Sequence, residues 1–557
     1  MSSPVVVVYD KKNSGRRFID PLFPKPPQYI PLAAWDRYQT EHAEPFTVMT
    51  LGKEVFARVT GDTKSKLGAV RGKTFWTRDN VRVVPTWSPG QLEMVPDLFL
   101  DISEDVYNAA YRQPDLRPVN VVVLNTAEQL SRALVQVRTL PSTHPVCVDV
   151  ETSGLNPYSD RLLCIGVGLS ETQAMVISEE LCNCEEGAAL IRQLFELELA
   201  WTFHNGKFDV RFLWHQELIR TAPPIVEDTM LMHYVLDERL GKHGLKDLSQ
   251  WKLGTPDYES EVKKYLPNKK TSYSVVPRPV LYKYAGYDVC YTLRVLRVMK
   301  AEVCQVEAEL SPKIWSLYRF LIRLENGLAK IEDNGLFVDQ AALTELDNTL
   351  KRKVRSLEQQ LQQIVGAPIN VRSPKQLATY LYKVRGLRQP AAWRAKPNST
   401  ANTALAKLLE EVCPGDEFIT TLMEYRKVYK IWSTYVAKVR LKIHPDGRLR
   451  TDFKIHGTVT GRLSSGAPNL MNVPRKTKNE YARRIRAMFI AEPGNVLVGA
   501  DYKSAELRVL AELSQEPFLM NVFKEGRDLH SETAQALFGD GWTKEHRMVA
   551  KMFVFGF

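Results

Sequence analysis

Hydrophobic and polar positions alternate in two different rhythms along the 557 residues. From residue 120 the apolar runs "NVVVL", "VCVDV", "LCIGVGL" and "AMVIS" have the length and β-branched content of buried strands. Between and after them, "GAALIRQLFELEL" and "FDVRFLWHQEL" place apolar residues at helical spacing. This alternation runs to about residue 300 and predicts a mixed sheet covered by helices. Residues 1–118 predict a smaller α/β unit, rich in proline ("PLFPKPPQYIP"), with strand-like runs at 5–8 and 81–84. From residue 312 to about 440 the pattern is long, charged and helical, as in "LTELDNTLKRKVRSLEQQLQQIV". Beyond it come short strand-like pieces, "LRTDFKI" and "VLVGADY", mixed with helices. The predicted fold class is multidomain α/β and α+β, with units at 1–118, 119–311, 312–440 and 441–557. A chain of this length holds three or four cores. No internal repeat or low-complexity tract interrupts it.

Composition narrows the partner more than the fold. No apolar run reaches the length of a membrane span, so no membrane partner is expected. The opening "MSSPVVVVYDKK" lacks the basic region and cleavage site of a signal peptide and reads as a strand. The seven cysteines are scattered, and Cys182 with Cys184 has no second ligand pair, which predicts a reduced, cytoplasmic setting. The net charge is +11 and the isoelectric point about 9.1. Lys and Arg cluster in "KRKVR", "YRKVYK", "PRKTKNEYARRIR" and "KEHRMVAK", mostly in the C-terminal half. That distribution suits a groove tracking a nucleic-acid backbone.

The first chemistry lies in "CVDVETSGLNP". Asp149 and Glu151 are two apart in a strand-like run, so they share a face and repel unless a cation lies between them. "AWTFHNGKFDVRFL" adds Asp209, and "LYKYAGYDVCYTLRV" adds Tyr284 and Asp288, four apart on one helical face. Hard carboxylate oxygens suit Mg²⁺ or Mn²⁺, and two such ions can activate water and stabilise a leaving oxygen. Each piece alone is more often a solvated edge or a surface acid; order and spacing carry the weight. D-x-E, then H-N-x-K-F-D, then Y-x-x-x-D resembles the three motifs of the DnaQ-like 3′–5′ proofreading exonucleases, with "EDTMLMHYVLDE" and "GKHGLKDLS" between the last two. The resemblance implies an RNase H-like fold, metal-binding roles for Asp149, Glu151, Asp209 and Asp288, and a water-positioning role for Tyr284.

The second set begins at "TVTGRLSSGAPNLMNVPRK" and "VLVGADYKSAELRVLAELS". An apolar run leads into Asp501, and an acid at the end of a buried strand is costly unless it holds a cation. In "HRMVAKMFVFG", Arg547, Lys551 and Phe555 share a helical face, a surface that can grip a triphosphate and stack on its base, or simply be a basic amphipathic surface. Together these stretches resemble the family A DNA polymerases, the bacterial polymerase I type and its phage relatives. The resemblance implies a thumb, then an incomplete palm and fingers of a right-hand polymerase. It implies a metal-binding role for Asp501, a steric gate against ribonucleotides at Glu506, nucleotide contacts at His530, Arg547, Lys551 and Phe555, and DNA contacts at Arg462, Asn469 and Asn472. Two positions depart from the family pattern. Lys503 and Ser504 replace a Ser-Gln pair, and Met471 replaces a Gln.

Residues 1–118 carry a third, fainter likeness. "TLGKEVFARVTG" and the proline-containing stretch 85–92 are similar to the second half of a uracil-DNA glycosylase-like domain, with Ser88 where that family has His. This implies a non-catalytic remnant used for docking or DNA contact; a plain α/β cap is the alternative.

In the family a second palm carboxylate follows in a later motif that this sequence does not contain. The expectation is therefore the front portion of a proofreading DNA polymerase, acting on primer–template DNA and deoxynucleoside triphosphates with two-metal sites. Excision is expected from this chain alone, and templated synthesis only with a second polypeptide carrying the rest of fingers and palm, unless the sequence is truncated. The alternative enzyme is a stand-alone 3′–5′ exonuclease with a relict DNA-binding platform. A non-catalytic scaffold is the third reading, opposed by the complete acid set.

Overall fold

The computed structural model describes the chain except residues 1–3, 11–15, 24, 43–45, 78, 80, 221–224, 240, 269–270, 310–312, 389–397, 475–479 and 557, and the side chain of Phe555. It divides into two compact units, Met1–Phe489 and Ile490–Phe557. The boundary between them falls inside the 441–557 span that the hydropathy pattern suggests.

The first unit opens with strands β1 (Val5–Tyr9), β2 (Gln28–Pro31), β3 (Thr47–Leu51), β4 (Phe75–Trp76) and β5 (Arg82–Thr86), in the order β2-β1-β3-β5-β4. All neighbours are parallel except β4 against β5. Parallel strands are covered on both faces, which explains their unbroken valine runs. Val6, Val8, Val48 and Val83 form one core, while Val7, Met49 and Leu51 pack against Ile102 and Val106 of helix α1 (Leu98–Ala110). Ser88 donates both its N–H and its hydroxyl to the side-chain carbonyl of Gln91, a helix-start interaction.

The second sheet contains β6 (Asn120–Leu124), β7 (Pro145–Thr152), β8 (Leu162–Gly168), β9 (Gln173–Ile177), β10 (Ala200–Phe203) and β11 (Glu227–Asp228). Its order is β11-β10-β7-β8-β9-β6. Strand β7 pairs antiparallel with β8 and parallel with β10, so it is held on both edges. Helices α2 (Gly206–His215), α3 (Thr229–Leu236), α4 (Leu245–Leu253) and α5 (Arg278–Glu309) pack around it. Gly166 lets α5 lie close: a Cβ there would sit 3.0 Å from the carbonyl oxygen of Ala285.

The N-terminal sheet domain grips the segment leading through α4. Arg239 donates to Asp101 at 2.7 Å, the Trp251 indole to the Arg71 carbonyl at 3.1 Å, and Arg112 to the Trp251 carbonyl at 2.5 Å.

Helix α6 (Ile314–Asn334) contributes Tyr318, Leu321, Ile322 and Leu328 to the same core as the second sheet. Short strands β12 (Leu336–Val338) and β13 (Arg448–Leu449) pair with each other, and β14 (Asp452–Lys454) forms a hairpin with β15 (Ser464–Gly466). Between β12 and β13, α7 (Gln340–Val365) packs on α8 (Glu417–Trp432) through Leu343, Leu346, Leu350, Leu357 and Leu361, the apolar stripe read from its sequence.

The second unit is four helices: α9 (Ala505–Ser514), α10 (Pro517–Lys524), α11 (Leu529–Phe538) and α12 (Lys544–Gly556). They meet on a small core of Leu507, Val522 and Leu529. One expectation fails here. Residues 496–502 form no strand; Val496 and Val498 are 82% and 87% exposed, and Asp501 is exposed rather than closing a buried strand. An apolar run becomes a strand only where a neighbour takes up its backbone N–H and C=O groups, and none of the described residues does so.

Candidate active site

The sheet builds the site from its centre outward. Asp149 and Glu151 alternate out of β7 onto one face, and α5 brings Asp288 against them. Carboxylate oxygens of Asp149, Glu151 and Asp288 all lie within 4.8 Å of one another. Glu151 and Asp288 are 7% and 3% exposed, so this negative charge sits largely out of water.

Asp209, the fourth acid expected, lies on α2 beside the cluster but is engaged differently. Its Oδ1 accepts the Val150 N–H at 2.8 Å, between the two acids of β7. Burial and Asp149 push its carboxyl well above the usual range. Burial first and Asp288 second raise Asp149 to about 7, with Lys246 opposing, and Glu151 rises for the same reasons with Asp149 added. Negative charge that one lysine only partly offsets is what a divalent cation relieves, and an all-oxygen donor set fits Mg²⁺ or Mn²⁺.

Two groups absent from the sequence-derived set touch the cluster. Lys246, at the start of α4, donates to Asp288, and its Nζ lies 4.4 Å from the centre of the Tyr284 ring. The Tyr258 hydroxyl donates to Asp288 Oδ1 at 2.6 Å. Lys246 stands in "GKHGLKDLS", so its stretch was visible, but nothing local said that it faces an acid 42 residues on. Tyr284 is 7% exposed, and burial together with Asp288 and Glu151 holds its hydroxyl protonated. Beside it a cavity of about 220 Å³ is lined by Tyr258, Tyr284 and Tyr287, with Val262 and Val280 and the polar Ser260, Glu261 and Lys283.

The hairpin residues come next. Arg462 lies in the β14–β15 loop, where its carbonyl accepts the Thr458 hydroxyl at 2.7 Å. Asn469 accepts from the Ser465 hydroxyl and the Asn472 N–H, and the Asn472 carbonyl accepts from Tyr435 at 2.6 Å.

In the second unit α11 and α12 bring His530 and Arg547 together. Arg547 pairs with Asp528 at 2.8 Å. His530 is buried, and burial first, then Arg547 and Lys551, lower its imidazole pKa against the pull of Asp528. Asp501 and Glu506 are both exposed. The side chain of Phe555 lies outside the described residues.

Comparison with known proteins follows the same division. Residues 121–303 match the 3′–5′ exonuclease family, and residues 340–557 match DNA polymerase family A. DNA polymerase I of Chloroflexus aurantiacus is 32% identical over 457 residues, covering 80% of this chain and 47% of the relative. DNA polymerase I of Synechocystis is 32% identical over 449 residues, 78% of this chain and 44% of the relative. The DNA polymerase of Escherichia phage T5 is 29% identical over 532 residues, 88% of this chain and 60% of the phage protein. The chain thus spans about half the length of the bacterial relatives it matches. Among solved structures, the polymerase domain of Pol1 from M. smegmatis, in complex with DNA primer–template and dNTP, superposes with a TM-score of 0.61 at 23% identity, covering 78% of this chain and 71% of that one. Among the described residues no helix is long and apolar enough to cross a membrane.

Proposed function

The chain belongs to family A of the DNA polymerases and carries their 3′–5′ exonuclease domain, and we propose that its own activity is metal-dependent removal of nucleotides from the 3′ end of DNA. The observation carrying this is the meeting of Asp149, Glu151 and Asp288 oxygens within 4.8 Å, two of them on a sheet strand and the third on the helix packed against it, held there despite their repulsion. Asp149, Glu151 and Asp288 would hold Mg²⁺ or Mn²⁺, which would supply Lewis acidity toward the scissile phosphate and acidify the attacking water. The protein's own groups do the rest. Asp209 fixes the backbone between the two β7 acids. Tyr284, held protonated, orients the water that attacks phosphorus as the 3′-oxygen of the preceding nucleotide leaves. The tyrosine-lined cavity suits an unstacked base. Lys246 and Tyr258 fix the orientation of Asp288. The setting is the cytoplasm of a bacterial or phage-infected cell.

For synthesis, we assign primer–template contacts to Arg462, Asn469 and Asn472, a metal-binding role to Asp501, the sugar gate to Glu506, and contacts with a deoxynucleoside triphosphate to His530, Arg547, Lys551 and Phe555. Synthesis with two metal ions needs a second palm carboxylate beside Asp501, which a second polypeptide or further residues of a longer protein would supply. Two observations support this. Asp501 joins no acid cluster among the described residues, and the apolar residues before it are exposed. The same exposure also favours the competing reading, an exonuclease whose polymerase part only binds DNA.

The test is a labelled primer–template with Mg²⁺ and all four deoxynucleotides, given to the chain alone and then with a polypeptide supplying the missing palm segment. Shortening alone and extension with the partner is the expected result. Extension by the chain alone overturns the partner assignment, and no shortening of a single-stranded primer overturns the nuclease.

A further inference from the structure

One buried lysine ties the nuclease site to the hairpin that carries Arg462. Lys207 and Asp209 are two apart on α2, hence about 200° apart around the helix. Asp209 therefore faces β7 while Lys207 faces away from it, toward β14. There its ammonium donates to Glu332 of α6, to Asp452 Oδ1 at 3.0 Å and to the Phe453 carbonyl at 2.5 Å. Three donors meet three acceptors, so the ammonium is saturated. Glu332, 1% exposed, closes the ring: it accepts the Phe453 N–H at 2.5 Å and Arg211 at 3.2 Å.

Packing agrees with the polar ring. Ile455 is 4% exposed and sits in the core of the second sheet, with Phe453 and Leu463 at its margin. The Tyr234 hydroxyl of α3 donates to the Thr458 carbonyl at 2.6 Å, inside the loop that carries Arg462. Yet residues 452–466 lie in the stretch that matches the polymerase family, not the exonuclease.

We propose that Lys207 is a positioning residue that couples the two activities: it locks the primer-side hairpin to the nuclease helix, so Arg462 and Asp209 are set by one shared anchor. The proposal rests on the nuclease assignment above and on a DNA-contacting role for Arg462. A primer end frayed from duplex must reach the acids while its duplex part is held; a loose hairpin spoils that registration but leaves excision of free single strands intact.

The experiment uses the full chain and two variants, Lys207→Gln and the double variant K207Q/E332Q, which leaves no buried orphan carboxylate. Hydrogen–deuterium exchange across residues 452–466 is expected to speed up about tenfold in both. Single-turnover excision from a mismatched primer–template is expected to fall about tenfold, with excision of a single-stranded oligonucleotide nearly unchanged. Lys207→Arg should restore much of both. Unaltered exchange in the hairpin, or an equal loss on both substrates, overturns the coupling. If the unmodified chain degrades neither substrate, the nuclease assignment fails, while the exchange measurement still decides whether Lys207 holds the hairpin.

Discussion

Asp149 and Asp501 each follow an apolar run, and the structure treats them in opposite ways. Around Asp149, β7 is paired on both edges, α5 closes over it, and the acid meets two others. Around Asp501 no strand forms, and the valines before it face solvent. Repelling carboxylates stay together only when a framework made for other reasons, here a hydrogen-bonded sheet with an apolar core, prevents them from relaxing apart. A sequence motif supplies the acid; the neighbours supply the site.

That contrast can be broken by substitution. Asp149→Ala should lower single-turnover excision by more than about a hundredfold, since losing a partner of a ligand already costs 10–100-fold. Asp501→Ala should leave excision within about twofold under the same assay. Equal losses in the two variants would show that the regions act as one site.

The next effect belongs to the groups around the acids. Lys246→Met should reduce excision by about ten- to a hundredfold, and Tyr258→Phe by about tenfold or less, as expected for residues that orient a metal ligand. Mn²⁺ titration of each variant should show weaker metal binding in parallel.

A pH measurement sharpens the comparison differently. Burial lowers His204 and His233 to about 3 and His456 to about 4, and His243 also falls. His233 and His243 are in contact at 2.9 Å through their Nδ1 atoms. These rings are neutral in the fold and ordinary in the unfolded chain. Their stabilising contribution is therefore full above about pH 6.5 and is lost as pH falls from there, toward 4 for His456 and toward 3 for His204 and His233. Between pH 7.5 and 5.5 the buried acids, whose carboxyl pKa values are raised, act on the first unit in the opposite direction, so the rings' share is read as a difference: His233→Asn should lose less urea stability on acidification than the unmodified chain. The smallest effect is expected at the exposed apolar face of the second unit. Leu513, 79% exposed, should tolerate Gln with a stability change within about 0.5 kcal/mol.

Much of this was legible in the sequence. Strands β6 to β9 follow the apolar runs closely, and α7 follows its leucine spacing, because both periodicities are local. The three clustered acids and Tyr284 were visible as motifs. Lys246 and Tyr258 were not, because their contact with Asp288 spans 42 and 30 residues and depends on how α4 and the segment after it fold back. The strand expected at residues 496–502 failed for the complementary reason. Its own pattern was suitable, but a strand is a property of a pair. Ser88 stands in the short loop the resemblance points to, at the start of a helix, where it donates to Gln91.

Ile455 bears on anyone who wishes to dissect this molecule. The family matches suggest a seam between residues 303 and 340, and an expression fragment cut there would seem a natural nuclease. Such a fragment would lack Ile455, Phe453 and Leu463, leaving a socket in the nuclease core and Lys207 without at least two of its three acceptors. Loss of one buried isoleucine alone costs about 2–5 kcal/mol when cut to alanine. Removing the whole hairpin would spend a large part of a domain's stability, and cutting away residues 1–118 would release the contacts that hold the α4 segment, so the shorter piece worth purifying is the whole first unit, residues 1–489.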